Sequence, residues 1–180
     1  MDFPETVEYF KNLRQSHQKI PFPVPYPPHL ICVDGETTVC QVATASSSPQ
    51  SIAAMLSAIA VCHADQATLS MESTVRSVEE GPSDVPIGQD PNAKLGLLTV
   101  QAQTFGSEVS VDAFSVDDEG AITWLPGIWW SPLPSILVGA MHEVFATDVP
   151  NSVADFVTWM QLNKYAIKVH PSLYNPEDGT

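Results

Sequence analysis

The sequence predicts one α+β domain over residues 1–180, in which an antiparallel sheet of about five or six strands packs on helices. Three stretches predict it: residues 95–125 have the pattern of a three-stranded meander, residues 29–43 that of a β-hairpin, and residues 49–63 that of a buried helix. Strands and helices grouped along the chain in this way are typical of the class. A chain of 180 residues with 44% hydrophobic residues can bury a core without disulfides or metals.

The meander is predicted from the alternation of apolar and polar residues. From Leu98 to Gln103 the two kinds alternate strictly, as in a strand with one buried and one solvated face. In the second strand the apolar positions change parity at Ala113 and Phe114, which requires either a β-bulge or burial on both faces. The meander must therefore lie against other elements, and the neighbouring helices are the candidates.

The first 28 residues are predicted to form a helix followed by a proline-rich strap. Asp2 and Glu5 have the spacing of a capping box, which begins a helix over residues 4–17. Proline at alternate positions in residues 21–28 imposes an extended, polyproline-like backbone. Such a segment either binds an aromatic-lined groove of another protein or packs on its own domain. Its position inside the chain, without a basic flank close by, favours packing on its own domain.

The hairpin of residues 29–43 is predicted to turn at Asp34-Gly35, a strong short-range hairpin signal. A two-residue turn at this point places Cys32 and Cys40 on opposite faces of the sheet. We therefore predict neither a disulfide nor a metal site at these two cysteines.

The helix of residues 49–63 is predicted to be the central helix of the fold. It follows a capping serine, Ser48, and it carries no charged residue as far as Cys62, so it must be buried on most sides. The remaining predicted elements are a strand over residues 66–78, a long loop over 79–92, C-terminal helices over 135–146 and from Ser152, a last strand over 165–169, and a short disordered tail over 175–180.

The charge restricts the classes of partner. The chain has 21 acidic and 7 basic residues, for a formal net charge of −14. Phosphate contacts need clustered lysine and arginine, so we predict binding neither to nucleic acid nor to an anionic membrane surface. Most of the acids are scattered, and we interpret them as a solvated surface. An inhibitor that mimics nucleic acid and occupies a basic partner is an alternative interpretation.

The sequence also gives expectations for location and cofactors. The N-terminus is acidic and lacks the apolar core of a signal peptide, and no apolar run reaches the ~18 residues of a membrane helix. An odd number of cysteines, 3, in unremarkable spacing is typical of a reduced compartment. We predict a soluble cytoplasmic protein without a metal or a cofactor.

Motifs that carry chemistry are weak. The chain has no glycine-rich phosphate loop, nucleophile elbow, paired CxxC or HExxH motif. A small enzyme with acid and base residues on the polar sheet face is an alternative, with Glu72 and Asp112 as carboxylates and His63 as a base. Arg76, on the same strand face, is expected to pair with Glu72, and His63 points about 100° away from the neighbouring thiol of Cys62 on the helix. These arguments favour a protein that is not an enzyme.

The tryptophan pair Trp129-Trp130 is the feature most typical of a binding site. Prolines and a glycine flank it, so the two indoles are presented on a stiff, irregular segment, as in interface hot spots. The alternative is a hydrophobic lid over the open end of the sheet. Together with Phe22 and Tyr26 of the strap, these residues form the predicted binding surface. The sequence thus predicts a non-catalytic binding or assembly module that contacts a protein partner or a second copy, for example in a homodimer.

Overall fold

The computed structural model describes residues 1–20, 25–149 and 152–174. Within these ranges the chain forms four α-helices and eight strands. The helices are α1 (Phe3–Gln18), α2 (Pro49–Val61), α3 (Leu133–Phe145) and α4 (Val153–Leu162). The strands are β1 (His29–Asp34), β2 (Thr37–Ala43), β3 (Gln66–Ser77), β4 (Lys94–Gln103), β5 (Ser107–Val116), β6 (Ile122–Leu125), β7 (Trp129–Trp130) and β8 (Ala166–Val169). The predicted α+β class is confirmed.

The sheet has the strand order β6-β5-β4-β3-β1-β2-β8, and all neighbouring strands are antiparallel. The predicted hairpin and meander form its two halves, and the long strand β3 joins them. β7 lies off this order and pairs only with the end of β3. The sheet exceeds the predicted five or six strands because it includes the predicted last strand, β8 with 4 residues, and also β7 with 2 residues, which was not predicted.

The register of the β1–β2 hairpin corrects one prediction. Cys32 lies directly opposite Cys40, so both side chains point to the same face of the sheet, and the predicted placement on opposite faces is wrong. The register shifts between Cys32 and Val33, which leaves Val39 as an extra residue in β2. A bulge of this kind moves the side chain of every later residue in the strand to the opposite face of the sheet. The turn residues Asp34-Gly35 alone do not predict such a bulge.

One face of the sheet carries the main core. α2, α3 and α4 pack on this face, and they share an apolar cluster with the inward side chains of β1 to β4 and β8. The hydroxyl of Ser48 accepts the N–H of Ser51 and so caps the uncharged α2, as predicted. Below, this face is called the α2 face.

The other face is covered in part by α1, and it is called the α1 face below. The capping box predicted for α1 is present, with reciprocal bonds between Asp2 and Glu5. Phe10 of α1 packs on Leu97 and Phe114 in a separate apolar cluster. The parity change in the second meander strand therefore reflects burial on both faces, because β4 and β5 pair without a register shift there.

No helix within the described ranges is both long enough and apolar enough to span a membrane.

Candidate functional site

The tryptophan pair lies at the end of the sheet where β3 extends past β4. Trp130 pairs with Arg76 and Trp129 with Ser77. The N–H of Val78 donates to the carbonyl of Ile128 over 3.0 Å and continues this pairing by one residue. The backbone of the tryptophan segment is therefore held by β3 and is not a free loop.

Arg76 fixes the strand end that holds the pair. Its Nη2 donates to the carbonyl of Val85 over 2.7 Å, and its Nη1 donates to that of Ser83 over 3.3 Å. A carboxylate oxygen of Asp90 lies 2.7 Å from Nε but out of line with the N–H bond, so this contact is an ion pair and not a hydrogen bond. The arginine thus ties residues 83–90 to the strand that carries the tryptophans.

An open groove of about 760 Å³ lies between β5, the tryptophan segment and the first turns of α3. None of the described residues that line it is charged. Three apolar side chains at the groove are strongly exposed: Ile128 by 69%, Trp130 by 50% and Val109 by 45%. The groove thus combines exposed apolar side chains with the neutral side chains of Ser107, Ser110, Ser131 and Ser135, in a chain of net charge −14.

Trp129 adds an unpaired donor to this groove. Its ring is half-buried and packs in the small cluster of Val75, Leu98 and Ala113, on the α2 face. Its Nε1 is buried and has no hydrogen-bond partner among the described residues. A buried N–H without an acceptor is costly, so a ligand that brought a carbonyl oxygen to this point would gain a hydrogen bond.

Of the two predicted binding residues of the strap, the structure describes only Tyr26, and Tyr26 is not part of this groove. Phe22 lies outside the described residues. Tyr26 is buried in the cluster beneath α1, next to the rings of His17 and His29 at centroid distances of 5.5 Å and 5.2 Å. The structure therefore does not bring Tyr26 together with Trp129, whose ring packs on the other face of the sheet.

The carboxylates of the alternative enzyme site do not form a pair. Glu72 and Asp112 share the α1 face, but Leu97 of β4 lies between them. Glu72 accepts a hydrogen bond from Nε of Arg14 over 2.5 Å, and Asp112 accepts one from the hydroxyl of Ser110 over 2.6 Å. The predicted partner of Glu72, Arg76, is bound to Asp90 instead, so that prediction is wrong.

The residues at the end of α2 are also apart. His63 is exposed and has a left-handed backbone conformation with φ of 51°, as is common where a helix ends. Cys62 is buried in the main core, and the carboxylate of Asp65 accepts the N–H of Gly35 over 3.1 Å. These three side chains serve the helix end, the core and the hairpin turn, and they do not assemble into a nucleophile with its base.

Three thiols, those of Cys32, Cys40 and Cys62, are buried close together in the main core. The pKa values of Cys40 and Cys62 are raised, mainly because each thiol interacts with a neighbouring thiol, and burial adds to the effect. Thiols of this kind are poor nucleophiles. Within the described ranges, no group of three or more metal-ligating side chains is arranged to hold a metal ion.

A row of polar side chains crosses the sheet beneath α1. His29, Ser70 and Thr99 are direct neighbours on β1, β3 and β4, and each has a buried polar atom without a hydrogen-bond partner among the described residues. The hydroxyl of Ser70 is close to that of Tyr26 but not in hydrogen-bond geometry. Burial dominates and raises the pKa of Tyr26 to about 12. Ser70 and Thr99 are fully buried, whereas His29 is only partly buried and lines an open pocket of about 220 Å³ together with Tyr9, Phe10 and Lys168.

His29 is expected to make the fold less stable in mild acid. Burial lowers its pKa below the ordinary value of 6.5, and the neighbouring His17 lowers it further. The unfolded chain therefore binds a proton at a pH where the folded chain does not, so this contribution to stability is lost progressively as the pH falls below about 6.5 towards the lowered pKa of the folded state. We expect the free energy of unfolding, measured in urea from pH 7.5 down to 5.5, to fall less in a His29→Gln variant than in the wild type. Equal slopes for the two proteins would contradict this.

No protein-family model, curated protein or solved structure matches the chain. The sequence identified the tryptophan pair, but it did not identify Val109, Val111 and Ile128 as parts of the same groove. The alternation of β5 marked the two valines only as apolar positions.

Proposed function

We propose that the protein is a non-catalytic binding module that contacts a protein partner through the groove of Trp129 and Trp130. The observation that carries the proposal is the groove itself, which is open, uncharged and lined by exposed apolar side chains. Its position on paired strands gives the surface a fixed shape, which lowers the entropic cost of binding.

The composition of the groove supports a protein ligand. Tryptophan is enriched among residues that dominate binding energy, because it buries a large area with few rotatable bonds. The unpaired Nε1 of Trp129 would be satisfied by a carbonyl oxygen, which every peptide carries. Catalysis is less well supported, because Glu72, Asp112 and Asp65 are each engaged with a structural partner.

A selection from random peptides tests this proposal without knowledge of the natural partner. A displayed library of random 12-residue peptides would be panned on the immobilised full chain, and enriched peptides would be measured by fluorescence anisotropy. We expect Trp130→Ala to weaken their binding by about tenfold or more, as for a hot-spot residue. Trp159→Ala is the matched control, because Trp159 is equally exposed, by 49%, but lies on α4 outside the groove.

Two outcomes would overturn the proposal: no enriched peptide, or enriched peptides that bind the Trp130→Ala variant as tightly as the wild type. Light scattering of both proteins adds a second test. A dimer that becomes a monomer in the Trp130→Ala variant would identify the partner as a second copy of the chain. A monomer in both cases leaves the groove free for another protein.

A further inference from the structure

The groove is bordered by a strand edge without a neighbour. β6 pairs with β5 only over residues 113–116, and no other strand among the described residues pairs with that side of β5. The first six residues of β5, Ser107 to Asp112, therefore present an open edge. The chain leaves this edge after Leu125, because Pro126 and Gly127 turn it away towards β3.

The pairing pattern shows which backbone groups face outward. In an antiparallel pair the residues that bond to the partner strand alternate with residues whose N–H and C=O point away. The N–H of Gln103 donates to the carbonyl of Gly106 at the start of the β4–β5 pair. Hydrogen-bonded pairs recur at every second residue, so the backbone groups that bond to β4 are those of Glu108, Ser110 and Asp112. The N–H and C=O groups that point outward are those of Ser107, Val109 and Val111.

We propose that the groove binds its partner by strand addition: an extended peptide segment pairs with the outward groups of Ser107, Val109 and Val111. This inference rests on the proposed function and specifies its mode. Residues opposite each other in a sheet share a face, so peptide side chains opposite Val109 and Val111 enter the groove beside Trp129 and Trp130. Six paired residues of such a peptide span about 20 Å.

The charge of β5 indicates what the other peptide side chains are. Positions opposite Glu108 and Asp112 lie on the α1 face, next to these two carboxylates. Opposite charges across a strand pair stabilise it, and like charges destabilise it. The segment that fits is therefore one in which apolar residues alternate with lysine or arginine.

The same rule disfavours a second copy of β5 as the occupant. An antiparallel pair of two β5 edges with Val109 opposite Val111 would place Glu108 of each copy opposite Asp112 of the other. The net charge of −14 on each chain adds to this repulsion. A basic, extended segment of a different protein is the better complement.

A proline substitution separates strand addition from other ways to fill the groove. Val109→Pro removes an outward N–H but no hydrogen bond to β4, and proline is tolerated on strand edges. Val109→Ala is the matched control, because it trims the side chain and keeps the N–H. For peptides selected on the wild type, we expect Val109→Pro to weaken binding about tenfold or more and Val109→Ala by less than about threefold. The enriched peptides should alternate apolar and basic residues. Glu108→Gln should weaken their binding, because it removes a carboxylate that faces the basic side chains.

Amide hydrogen exchange tests the same contact in the unmodified chain. The N–H groups of Val109 and Val111 should exchange rapidly in the free protein and become protected when a selected peptide is bound. Strand addition is overturned if these amides stay unprotected, or if Val109→Pro binds as Val109→Ala does. If Trp130→Ala still abolishes binding in that case, the groove remains the binding surface and only the mode is wrong. If neither substitution matters, both proposals fail.

Discussion

Replacing Arg14 by alanine is expected to lower the free energy of unfolding by about 3 kcal/mol, the low end of the range for breaking a buried ion pair. Arg14 is a buried charge on α1 whose Nε donates to Glu72 and whose Nη1 donates to Gln18 over 2.8 Å. Its guanidinium also lies over the rings of Phe114 and Tyr26, with its Cζ 5.1 Å and 5.5 Å from their centroids. The substitution would remove the cation that pairs with Glu72, whose side chain is only about a quarter exposed.

A double-mutant cycle assigns this loss to the ion pair. Urea unfolding of Arg14→Ala, Glu72→Gln and the combined variant should give a coupling energy of about 1–2 kcal/mol. Lys11→Ala is the matched control on the same helix. Lys11 pairs with the exposed Glu8 at 3.2 Å, and its Nζ lies 4.9 Å from the ring centroid of Trp124, so we expect the substitution to cost about 1 kcal/mol or less. A cost for Arg14→Ala no larger than for Lys11→Ala would show that the pair does not hold α1 on the sheet.

The origin of this pair explains what the sequence could predict. The capping box, the uncharged helix and the alternating strands are local signals, and the structure confirms the helices and strands that they predict. The face of β4 predicted to be solvated is buried, with Thr99 and Gln101 at most 5% exposed, so that part of the prediction is wrong. The Arg14–Glu72 contact joins residues 58 positions apart, and no local pattern shows it. The parity change at Ala113 and Phe114 did signal a sheet covered on both faces, but it did not identify α1 as the second cover.

The candidate site was predictable to a similar extent. Trp129 and Trp130 were recognisable because aromatic residues between prolines and a glycine are rare in regular elements. The open edge of β5 was not recognisable, because it depends on β6 ending after four residues and on the chain crossing to β3. The bulge at Val39 was invisible for the same reason, since its effect on register depends on how two strands pair.

Gly96→Ala is expected to destabilise the fold by about 2–3 kcal/mol, the upper range for overpacking a core. Gly96 is buried in β4, and the side chain of Val75 on β3 occupies the space that a Cβ on this glycine would need. An added Cβ would overlap Cγ1 of Val75 and lie 2.9 Å from Cγ2 and 3.2 Å from its Cβ. A β-branched side chain has little rotamer freedom, so it cannot move aside, and β3 itself must shift.

Two comparisons identify this clash as the cause. Val75→Ala alone should lower the free energy of unfolding by about 2 kcal/mol, because it leaves a cavity. The double variant Gly96→Ala/Val75→Ala should lose less than the sum of the two single losses, by about 1 kcal/mol or more, because the clash is removed. Gly139→Ala is the matched control. This glycine in α3 has open space at its Cβ position, so alanine there should stabilise the fold by about 0.5–1 kcal/mol.

The packing of Val75 also bears on the groove. Val75 directly precedes Arg76, which pairs with Trp130, so a displaced β3 would also shift the tryptophan segment. Additive energies in the double variant would show that the strand end is not held by close packing of Val75 over Gly96, and that the groove owes its shape to other contacts.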